Sequence, residues 1–441
     1  MNILLTEILH AREARALRQQ SLLKEFCCPV ICFTMNIAGP VKTSPLIRRA
    51  FDAGLSQLED ALSPYTVNSR EILHEITGDE AIFSVDAKAS VLKEICTAIE
   101  EASPLGRLFD MDVLDPDGRK LERSQERCCL VCGKPGRGCA ARRLHSVEQL
   151  QDATRTLISA HFADMDATRI SDAAVDALLE EVHTTPKPGL VDQRNNGSHE
   201  DMDLPLFVVS ANALRPYFSR CAVIGQTTAD LDATAVFPFL REAGLGAETA
   251  MLTATGGVNT HKGAIYTLGI LCAAISRLWY TGEFHPAEDR ILSLCAEIAG
   301  AAAEADLRQS REDTAGLRLY RELGIRGIRG EMADGLPSLS TIALPAFREA
   351  LAFGYSRNQA GVFALLHLIA RVQDTTLYHR GGVSGAAFAA GAAQQLLEQQ
   401  PHPSVEQIEA LDDAFIARRL SPGGCADLLA ATYFLDALSS R

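Results

Sequence analysis

No stretch of this chain approaches the roughly 18 to 20 uninterrupted apolar residues that a membrane span needs. The nearest run, around Leu268 to Ile275, is short and alanine-rich. The N-terminal segment MNILLTEILHAREARALRQQ has only a brief apolar stretch. Glu7 interrupts it, Arg12, Arg15 and Arg18 follow, and no small-residue cleavage site appears, so secretion is not expected. A disulfide framework is missing too. The twelve cysteines are scattered over a long chain and include the adjacent pairs Cys27-Cys28 and Cys128-Cys129, which favours reduced thiols and a cytoplasmic location. Excess positive charge is absent: the net charge of −14 argues against a nucleic-acid partner, and no membrane partner is expected. There is no internal repeat of fixed period, no low-complexity tract and no G-x-x-x-x-G-K-[ST] phosphate loop.

What is present is a 441-residue chain, 47% apolar, long enough for two or three domains with real cores. The charge is uneven: residues 1–163 carry 20 basic and 22 acidic side chains, and the remainder carries 22 and 34. The first part alternates strand-like runs, PVICFTMNI and AIFSVDA, with the helical patterns SREILHEI and ASVLKEICTAIEEA. That predicts an α/β or α+β domain. Beyond about residue 150 alanine- and leucine-rich helical patterns dominate, and the second part reads as all-α. Its first helix is expected to start at an N-cap Ser171, to use Val175, Leu178, Leu179 and Val182 as its inner face, and to stop before Pro186. The boundary is placed in the polar stretch SAHFADMDATRIS, giving domains 1–163 and 164–441.

In the first part the segment GRLFDMDVLDPDGRKLERS carries the clearest chemistry. On a strand, Asp110 and Asp112 share one face, with Cα atoms roughly 6 to 7 Å apart, while Phe109, Met111 and Val113 take the other. Two carboxylates beside Arg107 suit a Mg²⁺ ion that bridges phosphates, and an acidic solvent face fits the same spacing. In RCCLVCGKPGRGCAARRLHS, Cys129, Cys132, Cys139 and His145 could complete a zinc site; the spacing after Cys132 is irregular for a zinc ribbon, and unliganded buried cysteines are common. Arg127, Lys134, Arg137, Arg142 and Arg143 form either an anion-binding wall or a solvated basic edge.

These two segments, together with MNIAGPVKTSPLIRRAF, resemble the citrate lyase holo-acyl-carrier-protein synthases, the apo-citrate lyase phosphoribosyl-dephospho-CoA transferases. The resemblance implies a nucleotidyltransferase-type domain that attaches a phosphoribosyl-dephospho-CoA group to a serine of the lyase's acyl carrier protein and releases pyrophosphate. It implies Asp110 and Asp112 as metal carboxylates, with Lys42, Arg48 and Arg107 toward the triphosphate.

In the second part, unusual residues collect in TPKPGLVDQRNNGSHEDMD, TATGGVNTHKGAIYTLG, GIRGIRGEMADGLPS, DTTLYHRGGVSG and LSPGGCADLLA. Each is expected to be a loop that places glycines and a charged side chain at a helix entry, where backbone N–H groups can hold an anion. Taken singly, each is explained by a helix cap or a close helix contact, the commonest reason for such glycines.

Together, in this order, they resemble the triphosphoribosyl-dephospho-CoA synthases, which take ATP and 3'-dephospho-CoA, release adenine and make the substrate of the first family. The candidate proton-moving or metal-holding groups are then Asp192, His199, Asp201, Asp203, Glu331 and Asp374. Lys187, Lys262, Arg329 and Arg380 are the expected triphosphate partners, and Gly256, Gly257, Asn259, His261, Gly381, Gly382, Gly423 and Gly424 complete the nucleotide site. Hydrolysis of an ADP-ribose-like bond, service to malonate decarboxylase, and a carrier-binding scaffold without turnover remain rival readings.

Overall fold

The computed structural model describes residues 4–123, 127–309, 315–400 and 402–439. The chain divides into two compact units, Met1–Ala163 with Thr281–Phe284, and Asp164–Tyr280 with His285–Arg441.

The first unit contains α1 (Leu5–Phe26), β1 (Val30–Met35), α2 (Pro45–Leu62), β2 (Thr66–Glu75), β3 (Gly78–Asp86), α3 (Ala89–Ala102), β4 (Phe109–Leu114), α4 (Gly136–Arg142) and the start of α5 (Val147–His183). Its four strands lie in the order β2-β3-β1-β4, and every pairing is antiparallel, so of the two expected classes the α+β one holds. Alternation sorts the faces. Ile31, Phe33, Phe83, Phe109 and Met111 join Phe51, Leu55 and Leu58 in the main core. Val30, Cys32 and Ile82 meet Leu22 and Leu23 of α1 on the other side. The edge strand β4 therefore keeps Phe109, Met111 and Val113 buried and leaves Asp110 and Asp112 on the partly open face.

SREILHEI, expected as a helix, is strand β2. Its few apolar residues match a helical period over barely two turns. Gly78, at φ +125°, supports a tight return into β3, and the long β2–β3 ladder overrides the local preference.

The second unit continues α5 and adds α6 (Leu204–Ala213), α7 (Arg215–Thr227), α8 (Phe237–Ala254), α9 (Lys262–Tyr280), α10 (Glu288–Gln309), α11 (Ala315–Leu323), α12 (Gly327–Ala333), α13 (Leu344–Phe353), α14 (Arg357–Arg371), α15 (Thr375–Gln399), α16 (Val405–Ala417) and α17 (Gly423–Ser439). It has no strand among the described residues. Helix α9 is the centre. It is long and apolar enough to cross a membrane, but 14 of its 19 residues are buried against α7, α8, α10 and α17. Each fully buried leucine in it, such as Leu268 or Leu271, contributes about 1.5 to 3 kcal/mol through area removed from water.

Three expectations change here. Ser171 is not an N-cap: α5 begins at Val147 and runs through the unit division, and the Ser171 hydroxyl donates back to the Thr168 carbonyl inside the helix. A polar stretch with good helix formers simply continued the helix. DTTLYHRGGVSG is not a loop either, since it lies within α15, which kinks at Gly382 with φ +62°. In GIRGIRGEMADGLPS, residues Gly327 to Ala333 are helical.

Candidate active sites

The first unit holds a cleft of about 1220 Å³ along the edge of β4. The backbone of Met111 is tied to α3: its N–H donates to Glu100 Oε1 at 2.7 Å, and Lys93 Nζ donates to its carbonyl at 3.2 Å. This fixes the strand whose alternate residues, Asp110 and Asp112, line the cleft with Arg107, Arg123, Arg127 and Arg143. Asp112 pairs with Lys120 Nζ at 2.6 Å, and Asp110, with a side chain 47% exposed, stands 3.9 Å from Arg127. Arg107 has its pKa pressed down, first by burial and then by the charge of Arg127. Crowded cations of this kind are relieved by a bound anion.

Of the residues expected on the triphosphate side, Arg107 lines this cleft and Lys42 and Arg48 do not. Arg48 pairs with the buried carboxylate of Asp79 at 2.6 Å, and Lys42 donates to the Ile37 carbonyl. The side chain of Arg137 lies outside the described residues.

The second unit holds a cleft of about 1130 Å³ where α8, α9 and α12 meet the first turns of α15 and α17. Asn259, Lys262, Arg329, Glu331, Asp374 and Gly424 line it. Lys262 opens α9 and reaches Glu248 at 2.8 Å; Arg329 stands 3.9 Å from Asp306. Both carboxylate oxygens of Glu331 are held by Ser338, through its N–H at 3.0 Å and its hydroxyl at 2.7 Å. Asp374 caps α15 through the N–H groups of Thr376 and Leu377 and accepts a third bond from Cys425 N–H at the start of α17. One buried acid thus fastens two helix starts on the cleft wall, and burial raises its pKa against those three amides.

Sequence reasoning missed three groups in this cleft. Asp427, one turn into α17, accepts from Ala264 N–H and has its pKa raised well above normal by burial, then by Asp374 and Glu181. A Cβ on Gly263 would stand 1.8 Å from its carboxylate, so only glycine allows α9 this close. Arg241 adds a cation, paired with Asp306 at 2.7 Å. Tyr266 turns toward the cleft with a buried hydroxyl that has no hydrogen-bond partner. The signal for Asp427 was available, because it stands in the motif LSPGGCADLLA, where the glycines drew attention first.

The remaining expected residues lie elsewhere. Asp192 accepts four bonds inside its own loop, from Lys187 N–H at 2.8 Å, Thr185 Oγ1 at 2.9 Å, Arg194 N–H at 2.7 Å and Asn195 N–H at 3.0 Å. Lys187 is buried and donates to the carbonyl and carboxylate of Glu181. Asp203 caps α6 through Leu206 N–H, and Asp201 is 4.0 Å from His199. His199 bridges Ser421 Oγ at 2.9 Å and Arg380 at 3.0 Å, and burial, then Arg380, lowers its pKa to about 4. His261 turns inward to Ser210 Oγ at 2.8 Å. Gly256 and Gly257 end α8, with Gly257 N–H returning to the Leu252 carbonyl. Gly381 packs on Leu420 beside the Gly382 kink, and Gly423 sits against Thr376.

The CitX family model, apo-citrate lyase phosphoribosyl-dephospho-CoA transferase, matches residues 3–161. The CitG model, ATP:dephospho-CoA triphosphoribosyl transferase, matches residues 167–441. The chain is 36% identical to Protein CitXG of Haemophilus influenzae, with 98% of this chain and 96% of that one covered. It is 31% identical to Protein CitXG of Leuconostoc mesenteroides subsp. cremoris over 98% and 97%. It is also 35% identical to the 2-(5''-triphosphoribosyl)-3'-dephosphocoenzyme-A synthase of Haemophilus ducreyi, over 70% of this chain and 99% of that protein.

Proposed function

The chain belongs to the family of proteins that fuse an apo-citrate lyase phosphoribosyl-dephospho-CoA transferase to an ATP:dephospho-CoA triphosphoribosyl transferase, and from that premise we propose that each unit performs one of two successive transfers in citrate lyase maturation. The observation that carries the division of labour is the pair of clefts, one in each unit, each walled by cations beside carboxylates.

In the second unit, ATP enters with its triphosphate toward Lys262, Arg329 and Arg241, where the first turns of α9, α15 and α17 also converge. A ribose hydroxyl of 3'-dephospho-CoA attacks C1 of the ATP ribose, the C1–N9 bond breaks, and its electron pair leaves on adenine. Positive charge develops at C1 in the transition state, which nearby carboxylates stabilise. The hydroxyl must lose a proton and adenine must gain one. Asp427 is our choice for holding that proton, because its burial favours the neutral acid and it faces the cavity. Asp374 shapes the wall that positions it, and the buried Tyr266 hydroxyl supplies a donor that substrate would satisfy.

In the first unit, which we read as a nucleotidyltransferase-type domain, a serine hydroxyl of the acyl carrier protein attacks the phosphorus next to the ribose and pyrophosphate leaves. Arg107, Arg127 and Arg143 hold the phosphates. Asp110 and Asp112 offer two partly exposed carboxylates on one strand face, a ligand set that fits Mg²⁺; they would hold the ion, which would supply positive charge to offset that of the phosphates. A cytoplasmic site of action accords with the twelve free cysteines.

The test is to incubate the protein with ATP, Mg²⁺, 3'-dephospho-CoA and apo acyl carrier protein and weigh the carrier. A gain equal to the phosphoribosyl-dephospho-CoA group is expected, with adenine released in step. Asp110→Asn is expected to stop the gain and leave adenine release unchanged. An unmodified carrier, even with preformed triphosphoribosyl-dephospho-CoA supplied, would sink the assignment of the first unit.

A further inference from the structure

We propose that the first unit carries a structural zinc ion held by Cys129, Cys132, Cys139 and His145. Their ligand atoms all lie within 4.8 Å of one another, and the Cys132 and Cys139 sulfurs are 3.4 Å apart. Tetrahedral zinc, with Zn–S of about 2.3 Å and Zn–N of about 2.0 Å, requires ligand atoms about 3.5 to 3.8 Å from each other, so the cluster needs only small adjustments to close on the ion.

The backbone is built for it. Gly133 N–H donates to the Cys129 carbonyl at 3.0 Å, and Cys129 N–H donates to the Lys134 carbonyl at 2.6 Å. That tight turn, with Gly133 at φ +69°, brings Cys129 and Cys132 to one side. Gly136 N–H then ties back to the Arg127 carbonyl, α4 delivers Cys139, and the chain leaves through His145.

The second and independent observation is His145 itself, whose Nε2 atom is buried without a hydrogen-bond partner. A buried imidazole nitrogen left bare is costly, and a metal bond removes that cost. Cys139 is 6% exposed. Three thiolates and one imidazole form a closed, soft set with no free coordination position, which selects zinc and a structural role. A Cys132–Cys139 disulfide is the competing outcome, but 3.4 Å is far from the bonded distance of about 2.05 Å.

The segment needs such a fastening. Between Arg127 and His145 it offers little apolar surface, with Leu130 partly packed on the core and Val131 exposed. Yet it supplies Arg127 and Arg143 to the first cleft. Zinc binding energy, which in closed sites becomes folding energy, would hold that wall in place.

The full chain, purified under reducing conditions without chelator, is expected to contain one zinc per molecule by elemental mass spectrometry. Cobalt exchanged into it is expected to show the thiolate charge-transfer and visible bands of a tetrahedral site. Cys139→Ser and His145→Ala are expected to drop the metal to background, whereas His145→Cys and Cys128→Ser retain it. Far-ultraviolet circular dichroism and the resistance of the first unit to limited proteolysis report whether each variant chain is folded. Reduced wild-type protein that takes up no zinc from a buffered Zn²⁺ solution would overturn the site. So would variants that keep full stoichiometry, or a Cys132–Cys139 disulfide in the native chain.

Discussion

Asp192 and Asp427 belong to the same all-α unit, yet one accepts four hydrogen bonds from its own loop while the other faces a cavity with a single backbone N–H on its carboxylate. The loop around Asp192 is stitched to α16 and to the segment that follows it as well. Asp412, fully buried, takes Gly189 N–H at 2.8 Å, Arg194 Nη1 at 2.6 Å and Asn195 Nδ2 at 2.8 Å, and Ser198 donates to the Leu420 carbonyl. A polar, proline- and glycine-rich loop that is largely buried must satisfy its backbone internally, and its acids do that work. The cleft is the reverse, since Asp427, Tyr266 and Lys262 keep valence in hand for a substrate. A conspicuous polar motif can therefore be a frame, and the reacting group can sit in a plainer one.

The sharpest way to break that contrast is to exchange the charges. Asp427→Asn preserves shape and removes a titratable proton. Adenine release is expected to fall by roughly 10²- to 10⁴-fold, the range for losing a general acid or base, with the unfolding transition unmoved. Carrier modification from preformed triphosphoribosyl-dephospho-CoA should continue. Near-normal adenine release from this variant would remove Asp427 from the chemistry.

Asp192→Ala is expected to act through the fold instead. It strands four donors, three of them backbone amides, and should cost about 3 kcal/mol, read as a lower denaturant midpoint for the second unit. Activity per folded molecule should stay close to normal. A stable variant that has lost adenine release would instead make Asp192 part of the site.

His261 and Lys262 carry the contrast down to adjacent residues, one turned inward and the other toward the cleft. Burial, then the charge of Lys187, lowers the His261 pKa to about 3, below its unfolded value of about 6.5. Between those values the unfolded chain binds the extra proton, so this histidine lowers stability as pH falls. At pH 5 the loss is about 2 kcal/mol relative to pH 7.5. His261→Asn, which can keep the bond to Ser210, is expected to flatten that part of the stability-versus-pH curve. An unchanged slope would mean that the imidazole is protonated in the folded protein.

Much of the fold was legible. The strand alternation in FDMDVL followed directly from residue type, and the core helix α9 followed from its alanine- and leucine-rich helical pattern. SREILHEI was not legible, because its strand state comes from pairing with β3, a contact no local period encodes. The five polar motifs of the second unit were read as one wall, and folding brings four of them to one cleft while the first stays apart. Lys262, Glu331, Asp374 and Gly424 reach the cleft, while Arg380 and His199 meet each other beside Ser421. Residue type marks a group as able to do chemistry; only its hydrogen-bond partners show whether it is already occupied. Those partners are set by long-range contacts such as Asp374 with Cys425 and Asp412 with Gly189, each bridging distant parts of the sequence.

The smallest expected effect tests the cleft from its rim. Lys262 is 56% exposed, and its pair with Glu248 lies at the surface, where such bonds contribute about 0 to 1 kcal/mol. Lys262→Ala should therefore leave the unfolding transition within about 0.5 kcal/mol of the parent. What it removes is one cation facing a bound triphosphate, a charge-assisted contact whose loss should raise the KM for ATP by about 10-fold. The kcat should change less, because the phosphates lie away from the breaking C1–N9 bond and bind alike before and during reaction. Lys262→Arg, which keeps the charge, should recover most of the affinity. A fall in kcat with KM unchanged would place Lys262 at the reacting carbon instead of at the phosphates, and the orientation assigned to ATP would have to be reversed.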